Sequence, residues 1–248
     1  MISKNRLKLI HSLERKKARS ESGLFVAEGP KLVGELLAAG WSPQYMAGTE
    51  EWWLTHQIAV ERDVVNEEEL QRASLQKTPQ QVLALFPIPQ VSLSLSEVAD
   101  TELCLALDSV QDPGNLGTIV RLADWFGIHH LFCSLTTADI YAPKAIQATM
   151  GAISRVQVHY IDLTDALRQC KAPIYGTHLN GENIYEKQLT HTGVIVMGNE
   201  GKGISPEVED LVNERLFIPP YPADRTTVES LNVAIATAIV CAEFRRLK

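Results

Sequence analysis

Apolar residues along this chain alternate between helical and strand spacing, and the switches mark out its elements. Leu7, Ile10 and Leu13 recur at helical spacing with basic residues filling much of the remaining surface, which predicts one helix over residues 3–19 with a charged face. The segment GLFVAEGPKLVGELLAAG then reads as a strand at Leu24–Ala27, a turn at Gly29-Pro30 and a helix stopped by Gly40. Apolar runs at Tyr45–Ala47, Ile58–Val60 and Val82–Phe86 continue the sheet of a small α/β unit. The stretch PIPQVSLSLSEVAD from Pro87 to Asp100 is rich in proline and serine and reads as a linker into a capping turn. We therefore expect one domain over residues 1–88, a linker over 89–101 and a second domain over 102–248.

In the second half, short apolar bursts such as Leu103–Leu107, His130–Cys133, Val156–Tyr160, Ile174–Thr177, Val194–Met197 and Leu216–Ile218 are separated by helix-like segments. That alternation predicts a mostly parallel sheet with helices on its faces. The final helix, expected from about Ser230 to Arg246, is apolar on most of its circumference through Val233, Ile235, Ile239, Val240 and Phe244. It needs cover on several sides, from the domain core or from a second subunit.

Of the 248 residues, 45% are hydrophobic and 21% charged, and no apolar run approaches the roughly 20 residues that span a bilayer. The first residues lack the apolar block of a secretory signal, so a cytoplasmic location is the expectation. Cys104, Cys133, Cys170 and Cys241 are far apart and mostly lie in apolar surroundings, as core thiols do, and no metal site is expected. A net charge of −7 argues against a protein that coats nucleic acid nonspecifically. The average hides a patch, however: Lys4, Arg6, Lys8, Arg15, Lys16, Lys17 and Arg19 face a lone Glu14. This patch is either a solvated helix face or a surface for RNA, with Lys16, Lys17 and Arg19 as the candidate contacts.

Three constellations carry chemistry. Asp112-Pro113-Gly114-Asn115-Leu116-Gly117 follows the strand LCLALD and opens a helix with Arg121 one turn along, near where open α/β sheets keep their ligands. A turn with a helix cap and a surface arginine would explain the same residues. The run Val194–Met197 enters Gly198-Asn199-Glu200-Gly201-Lys202-Gly203, whose glycines let a backbone approach a ligand and expose its amides, and Ser205-Pro206 starts the next helix. A plain strand-to-helix turn, with Glu200 capping a neighbour, is the alternative. Finally, Asn232 stands at the start of the apolar last helix, where its amide needs a partner that capping by Ser230 does not supply. Neither dinucleotide nor ATP fingerprints occur.

Taken in order, Asn115, Gly117 and Arg121, then Gly198-Asn199-Glu200-Gly201, then Ser230-Leu231-Asn232-Val233 resemble the three motifs of the SpoU (TrmH-like) family of RNA ribose 2′-O-methyltransferases in the SPOUT superfamily. The resemblance spans residues 103–246, and residues 1–86 look like the small substrate-binding domain that many ribosomal-RNA members carry. It implies an α/β domain with a deep trefoil knot, bound S-adenosylmethionine and a homodimer with active sites near the subunit interface. By motif, Arg121 is implied as the catalytic arginine, Asn115 as a helper at the substrate and Glu200 as an organiser, with Ser230 and Asn232 in the catalytic pocket. Thr177, Gly198, Ile218 and Leu231 match positions around the cofactor. After Ile218-Pro219 many relatives have methionine and glycine, whereas this chain continues Pro220-Tyr221-Pro222-Ala223-Asp224-Arg225-Thr226-Thr227.

The leading expectation is thus methyl transfer from S-adenosylmethionine to a ribose 2′-hydroxyl in structured RNA, with ribosomal RNA favoured over transfer RNA by analogy. A noncatalytic RNA-binding or assembly protein, and an enzyme using another nucleotide, are the alternatives.

Overall fold

The computed structural model describes residues 1–90, 93–222 and 230–246. They form two compact units: one takes residues 1–90 with 139–154, and the other takes the described residues of 91–138 and 155–248. Along the first stretch lie α1 (Lys4–Ser12), α2 (Lys16–Ser22), β1 (Leu24–Glu28), α3 (Pro30–Ala38), β2 (Tyr45–Gly48), α4 (Glu50–Thr55), β3 (Glu61–Val64), α5 (Glu67–Ala73) and β4 (Val82–Pro87).

The first sheet has the order β1-β4-β2-β3, antiparallel except for the β2–β3 pair. Successive residues of a strand face opposite sides, and those of β1 and β2 are all buried, so both faces need cover. Ile10, Leu13 and Leu70 pack with Val26, Tyr45 and Leu85 on one side. On the other, Phe25 stacks on Phe86 at 5.8 Å and meets Trp41 and Tyr141 at 6.1 and 5.0 Å.

Three local expectations change. The helix expected over 3–19 is two helices, because the chain turns at residues 13–15 and leaves the Leu13 and Glu14 carbonyls outside any helical ladder. Arg19 Nη1 donates to both, at 2.7 and 2.8 Å, while its Nε and Nη2 donate to Asp139 Oδ2 at 3.0 and 2.5 Å. Arg19 is consequently only 3% exposed and acts as an internal strut instead of joining the basic surface. The strand expected at Ile58–Val60 lies instead at β3, whose register is set by parallel pairing with β2, Tyr45 opposite Glu61. Within the stretch read as a linker, Leu95–Thr101 form α6, and Leu95, Val98 and Ala99 enter the core of the second unit.

The chain continues through β5 (Leu103–Leu107), α7 (Pro113–Trp125), β6 (His130–Ser134), α8 (Pro143–Ala148), β7 (Gln157–Ile161), α9 (Leu163–Arg168), β8 (Ile174–Asn183), β9 (Gly193–Met197), α10 (Pro206–Glu209), β10 (Glu214–Phe217) and α11 (Val233–Phe244). Of these, α8 belongs to the first unit, where it packs on β1. The second sheet has the order β10-β8-β9-β5-β6-β7, and every pairing is parallel, as expected from the alternation of strands and helices. β5 and β9 are buried at every position. Cys104, Ala106, Val194 and Val196 pack with residues of α6, α9 and α10. Ile174 joins them, whereas its neighbour Tyr175 points the other way and meets Phe244 of α11 edge-on at 4.8 Å. α11 in turn lies against α7, so helices cover both faces.

On β7, His159 is buried, stacks on Phe132 at 4.7 Å and approaches His130 Nδ1 through Nε2 at 3.3 Å. Its Nδ1 has no partner among the described residues. Burial, aided by His130, pushes its pKa down to about 4. An unfolded histidine titrates near about 6.5, so between the two values the unfolded chain binds the extra proton. The contribution of neutral His159 is complete above about pH 6.5 and is lost as pH falls toward about 4. Urea midpoints taken across that window should fall with pH, and His159→Gln should flatten the slope. Equal slopes in the two proteins would rule His159 out as the source.

Candidate active site

In the second sheet β5 and β9 are neighbours, and the strands that follow β5 run off to one side while β8 and β10 lie on the other. Such a reversal opens a crevice at the carboxyl ends of the two central strands. Asp108 N donates to Met197 O at 2.9 Å, which aligns those ends. The loops after β5 and β9 and the cap residue of α11 meet there.

The first opens α7. Asp112 caps the helix by accepting from Asn115 N at 2.8 Å, and Pro113 occupies the first turn, where a missing N–H is harmless. Asn115 is thereby fixed in the first turn. Its Nδ2 donates to Glu200 Oε1 at 2.9 Å, and its Oδ1 accepts from Asn232 Nδ2 at 3.1 Å. Asn232 Oδ1 accepts from Ala234 N and Ile235 N at 3.0 and 3.3 Å. A carboxylate can only accept and helix N–H groups can only donate, so the two ends of this chain dictate which way each amide points. Asn232 is therefore itself the N-cap of α11, the role expected of Ser230, and Ser230 stands exposed two residues earlier.

The second loop turns back on itself. Asn199 and Gly203 exchange backbone hydrogen bonds of 2.8 and 2.9 Å, and Asn199 Oδ1 accepts from Gly201 N and Lys202 N, both at 3.0 Å. The amides expected to face a ligand are thus used inside the loop. Gly198 is needed for the crossing: a Cβ there would lie 2.3 Å from both Gly203 C and Ile204 N. Asn199 Nδ2 also donates to Ser109 O at 2.8 Å.

Arg121 lies six residues beyond Asn115 on α7, about 9 Å along the axis and on a different face of the helix. It is exposed, with no hydrogen bond or ion pair among the described residues, and Trp125 one turn on is 83% exposed. Gly176 is the last residue of β8 paired with β9, opposite Val196, so Thr177, within β8, lies close to the carboxyl end of β9, which Gly198 follows. Residues 177–181 bulge between the two registers of β8 against β10. Beside Thr177, burial holds His178 below the ordinary histidine pKa, with Nδ1 3.5 Å from Glu209 Oε1. Ile218 follows β10, and Leu231 precedes α11 with 47% of its surface exposed. In the first unit Lys16 and Lys17 are exposed on α2, with Lys17 3.8 Å from Glu21. Ala223–Thr227 of the divergent loop lie outside the described residues.

Two residues of the crevice had no role from sequence. Asp108, 4% exposed, accepts from Ser205 N at 2.7 Å and from Ser109 Oγ at 3.2 Å. Ser109 has a left-handed φ of +59°, a conformation costing on the order of 1–3 kcal/mol that only a surrounding network sustains. An acidic residue immediately after an apolar strand was the available signal. Among the described residues no group of three or more His, Cys, Asp or Glu is placed to hold a metal, and no helix is long and apolar enough to cross a membrane.

The site defines an α/β protein with a doubly covered parallel sheet that carries a loop and asparagine constellation at its reversal point. The chain belongs to the SpoU rRNA Methylase family, whose model matches residues 102–242; the MRM3-like substrate binding domain matches residues 4–84. It is 29% identical to the 23S rRNA (guanosine(2553)-2′-O)-methyltransferase RlmP of Bacillus subtilis, covering 94% of this chain and 93% of that protein. A TrmH-family structure from Porphyromonas gingivalis is 42% identical, with a TM-score of 0.89, covering 99% of this chain and 98% of the other. The AdoMet-bound rRNA methyltransferase from Sinorhizobium meliloti is 29% identical, with a TM-score of 0.84, covering 99% and 95%.

Gly198→Ala should destabilise the protein by about 1–3 kcal/mol or more, since backbone cannot retreat as a flexible side chain can. Chemical denaturation reads this directly. A midpoint equal to that of the parent would mean that the loop crossing is looser than described.

Proposed function

We propose that this protein transfers the methyl group of S-adenosylmethionine to a ribose 2′-hydroxyl of ribosomal RNA, in the cytoplasm. The observation that carries this reading is the hydrogen-bonded chain joining Glu200, Asn115 and Asn232, which unites three segments far apart in sequence. The names of the Bacillus subtilis and Sinorhizobium meliloti relatives support the reaction and the substrate class.

The residues present fit the methyl donor. Gly198 and Ile218 directly follow β9 and β10, and Thr177 follows the last β8 residue paired with β9, all offering backbone groups; the exposed apolar side chain of Leu231 offers a surface for an adenosine. When bound, S-adenosylmethionine supplies an electrophilic methyl carbon on a sulfonium sulfur. The task of the protein is then to hold the ribose oxygen in line with that carbon, where positioning is the main catalytic lever. Asn115 has one amide hydrogen and one lone pair beyond those used by Glu200 and Asn232, enough to orient a ribose hydroxyl. Glu200 fixes the direction of that amide. Arg121 is a guanidinium that stays protonated, so it is suited to clamp the adjoining phosphate while a phosphate oxygen or water takes the hydroxyl proton. Ser230, exposed ahead of the Asn232 cap, is at hand for the same pocket. A knotted path for the C-terminal segment is part of this proposal.

The first unit would grip RNA at a distance, through Lys16 and Lys17 on α2 and without Arg19. Homodimer formation completes the reading: Ile235, 54% exposed, leaves apolar surface on the first turn of α11. Ile235→Asp should shift the sedimentation coefficient toward that of a monomer and lower activity. A parent protein that sediments as a fully active monomer would sink the dimer.

Arg121→Ala should lower turnover by about 100-fold or more, and Arg121→Lys should fail to restore it because the planar fork is lost. Calorimetry should find S-adenosylmethionine affinity unchanged in both. Near-normal methylation by Arg121→Ala defeats the assignment. Replacing Lys16 and Lys17 with alanine should weaken RNA binding and reduce its salt slope by roughly 0.7–0.9 per lost phosphate contact. An unchanged slope moves the RNA surface elsewhere.

A further inference from the structure

A cleft of about 340 Å³ opens beside the asparagine chain, walled by Ser109, Gln111 and Thr136 on one side and by Lys202 and Ser205 on the other. We propose that this cleft holds the nucleotide next to the methylated one, with Lys202 on its phosphate and Gln111 on the hydrogen-bonding edge of its base. The inference rests on the methyltransferase reading and extends it to a second subsite.

Position is the first argument. Asn199 lines the cleft and is followed in the chain by Glu200, and its Nδ2 lies 3.5 Å from Glu200 Oε2. A ribose seated at Asn115 and Glu200 belongs to a polymer, so a neighbouring nucleotide must be accommodated within one backbone step. The cleft adjoins Glu200 through Asn199, which makes it the place for that neighbour. None of Thr177, Gly198, Ile218 and Leu231, the positions proposed for the methyl donor, lines it.

Its chemistry is the second. Gln111 and Lys202 are exposed, and neither side chain has a hydrogen bond or ion pair among the described residues, which leaves an amide and a cation for a ligand. Unstacked RNA bases are read through their edges by such groups, and phosphates by lysine charge. The wall at Ser109 and Thr136 is held in place by hydrogen bonds. Ser109 N donates to Ser134 Oγ at 2.9 Å, the Ser109 and Thr136 hydroxyls lie 2.6 Å apart, and Asn199 holds the Ser109 carbonyl. Holding a serine at positive φ with this many partners makes a fixed surface at the end of β5, which a site that must position a ligand requires. Size is the third argument, since the volume is at the low end for ligand sites and admits one nucleotide at most.

The test uses the full-length protein and ribosomal RNA purified from cells lacking this gene. Lys202→Ala should weaken RNA binding about three- to tenfold at low salt and lower the slope of log affinity against log salt by about 0.7–0.9, with Lys202→Arg restoring both. Gln111→Ala should raise KM for RNA with little change in kcat. Affinity for S-adenosylmethionine should stay that of the parent in all three. RNA affinity and slope unchanged in Lys202→Ala overturn the proposal. Loss of S-adenosylmethionine affinity also overturns it, by assigning the cleft to the methyl donor. A parent protein that methylates no ribosomal RNA defeats the underlying reading, whereas an active parent with indifferent variants defeats the cleft alone.

Discussion

The site depends on a hydrogen-bond chain whose direction is set at both ends. Glu200 offers only acceptors and the first turn of α11 only donors, so Asn115 and Asn232 have a single consistent arrangement between them. Each member is hydrogen-bonded to another member, which lets a partly buried polar network add rigidity, and Asn115 keeps one donor and one acceptor position for a ligand. The same chain ties α7, the loop after β9 and α11 together, so the entry of the last helix and the orientation of a would-be substrate contact are one constraint.

Packing supplies the platform beneath. Strands buried on both faces leave no polar side on which to rest, and α6, α9 and α10 on one face with α7 and α11 near the other follow from that. Gly198 then allows the loop after β9 to double back at backbone contact distance. Without that crossing Asn199 could not reach Ser109, and the wall of the neighbouring cleft would lose its support.

Much of this was legible in the order of residues. Apolar runs located most strands of both sheets, because a strand buried on both faces must be apolar throughout. The three motifs also marked Asn115, Glu200 and Asn232. What could not be seen was set by distant contacts. The break between α1 and α2 is held by Arg19, whose partner Asp139 lies 120 residues away, and a basic residue inside a basic run gives no hint of burial. The pairing of Asn232 with Asn115 spans 117 residues, so from sequence Asn232 showed only an amide in need of a partner, and its place as the cap of α11 was hidden. Ser109 and Asp108 followed an ordinary strand, and a left-handed φ at a serine has no compositional signature.

The contribution of residues 139–154 to the first unit has a consequence for synthesis. Asp139 neutralises buried Arg19, Tyr141 packs on Phe25, and α8 lies on β1, so the amino-terminal unit lacks part of its core until this later stretch has been made. At about 5–20 residues per second, the 64 residues from 90 to 154 take roughly 3–13 s. During that interval β5, α7 and β6 emerge first, so the sheet of the second unit begins to assemble while the first unit still waits for its last pieces. The two halves of the protein are therefore born interleaved, and neither can be obtained as a continuous fragment without removing structure from the other.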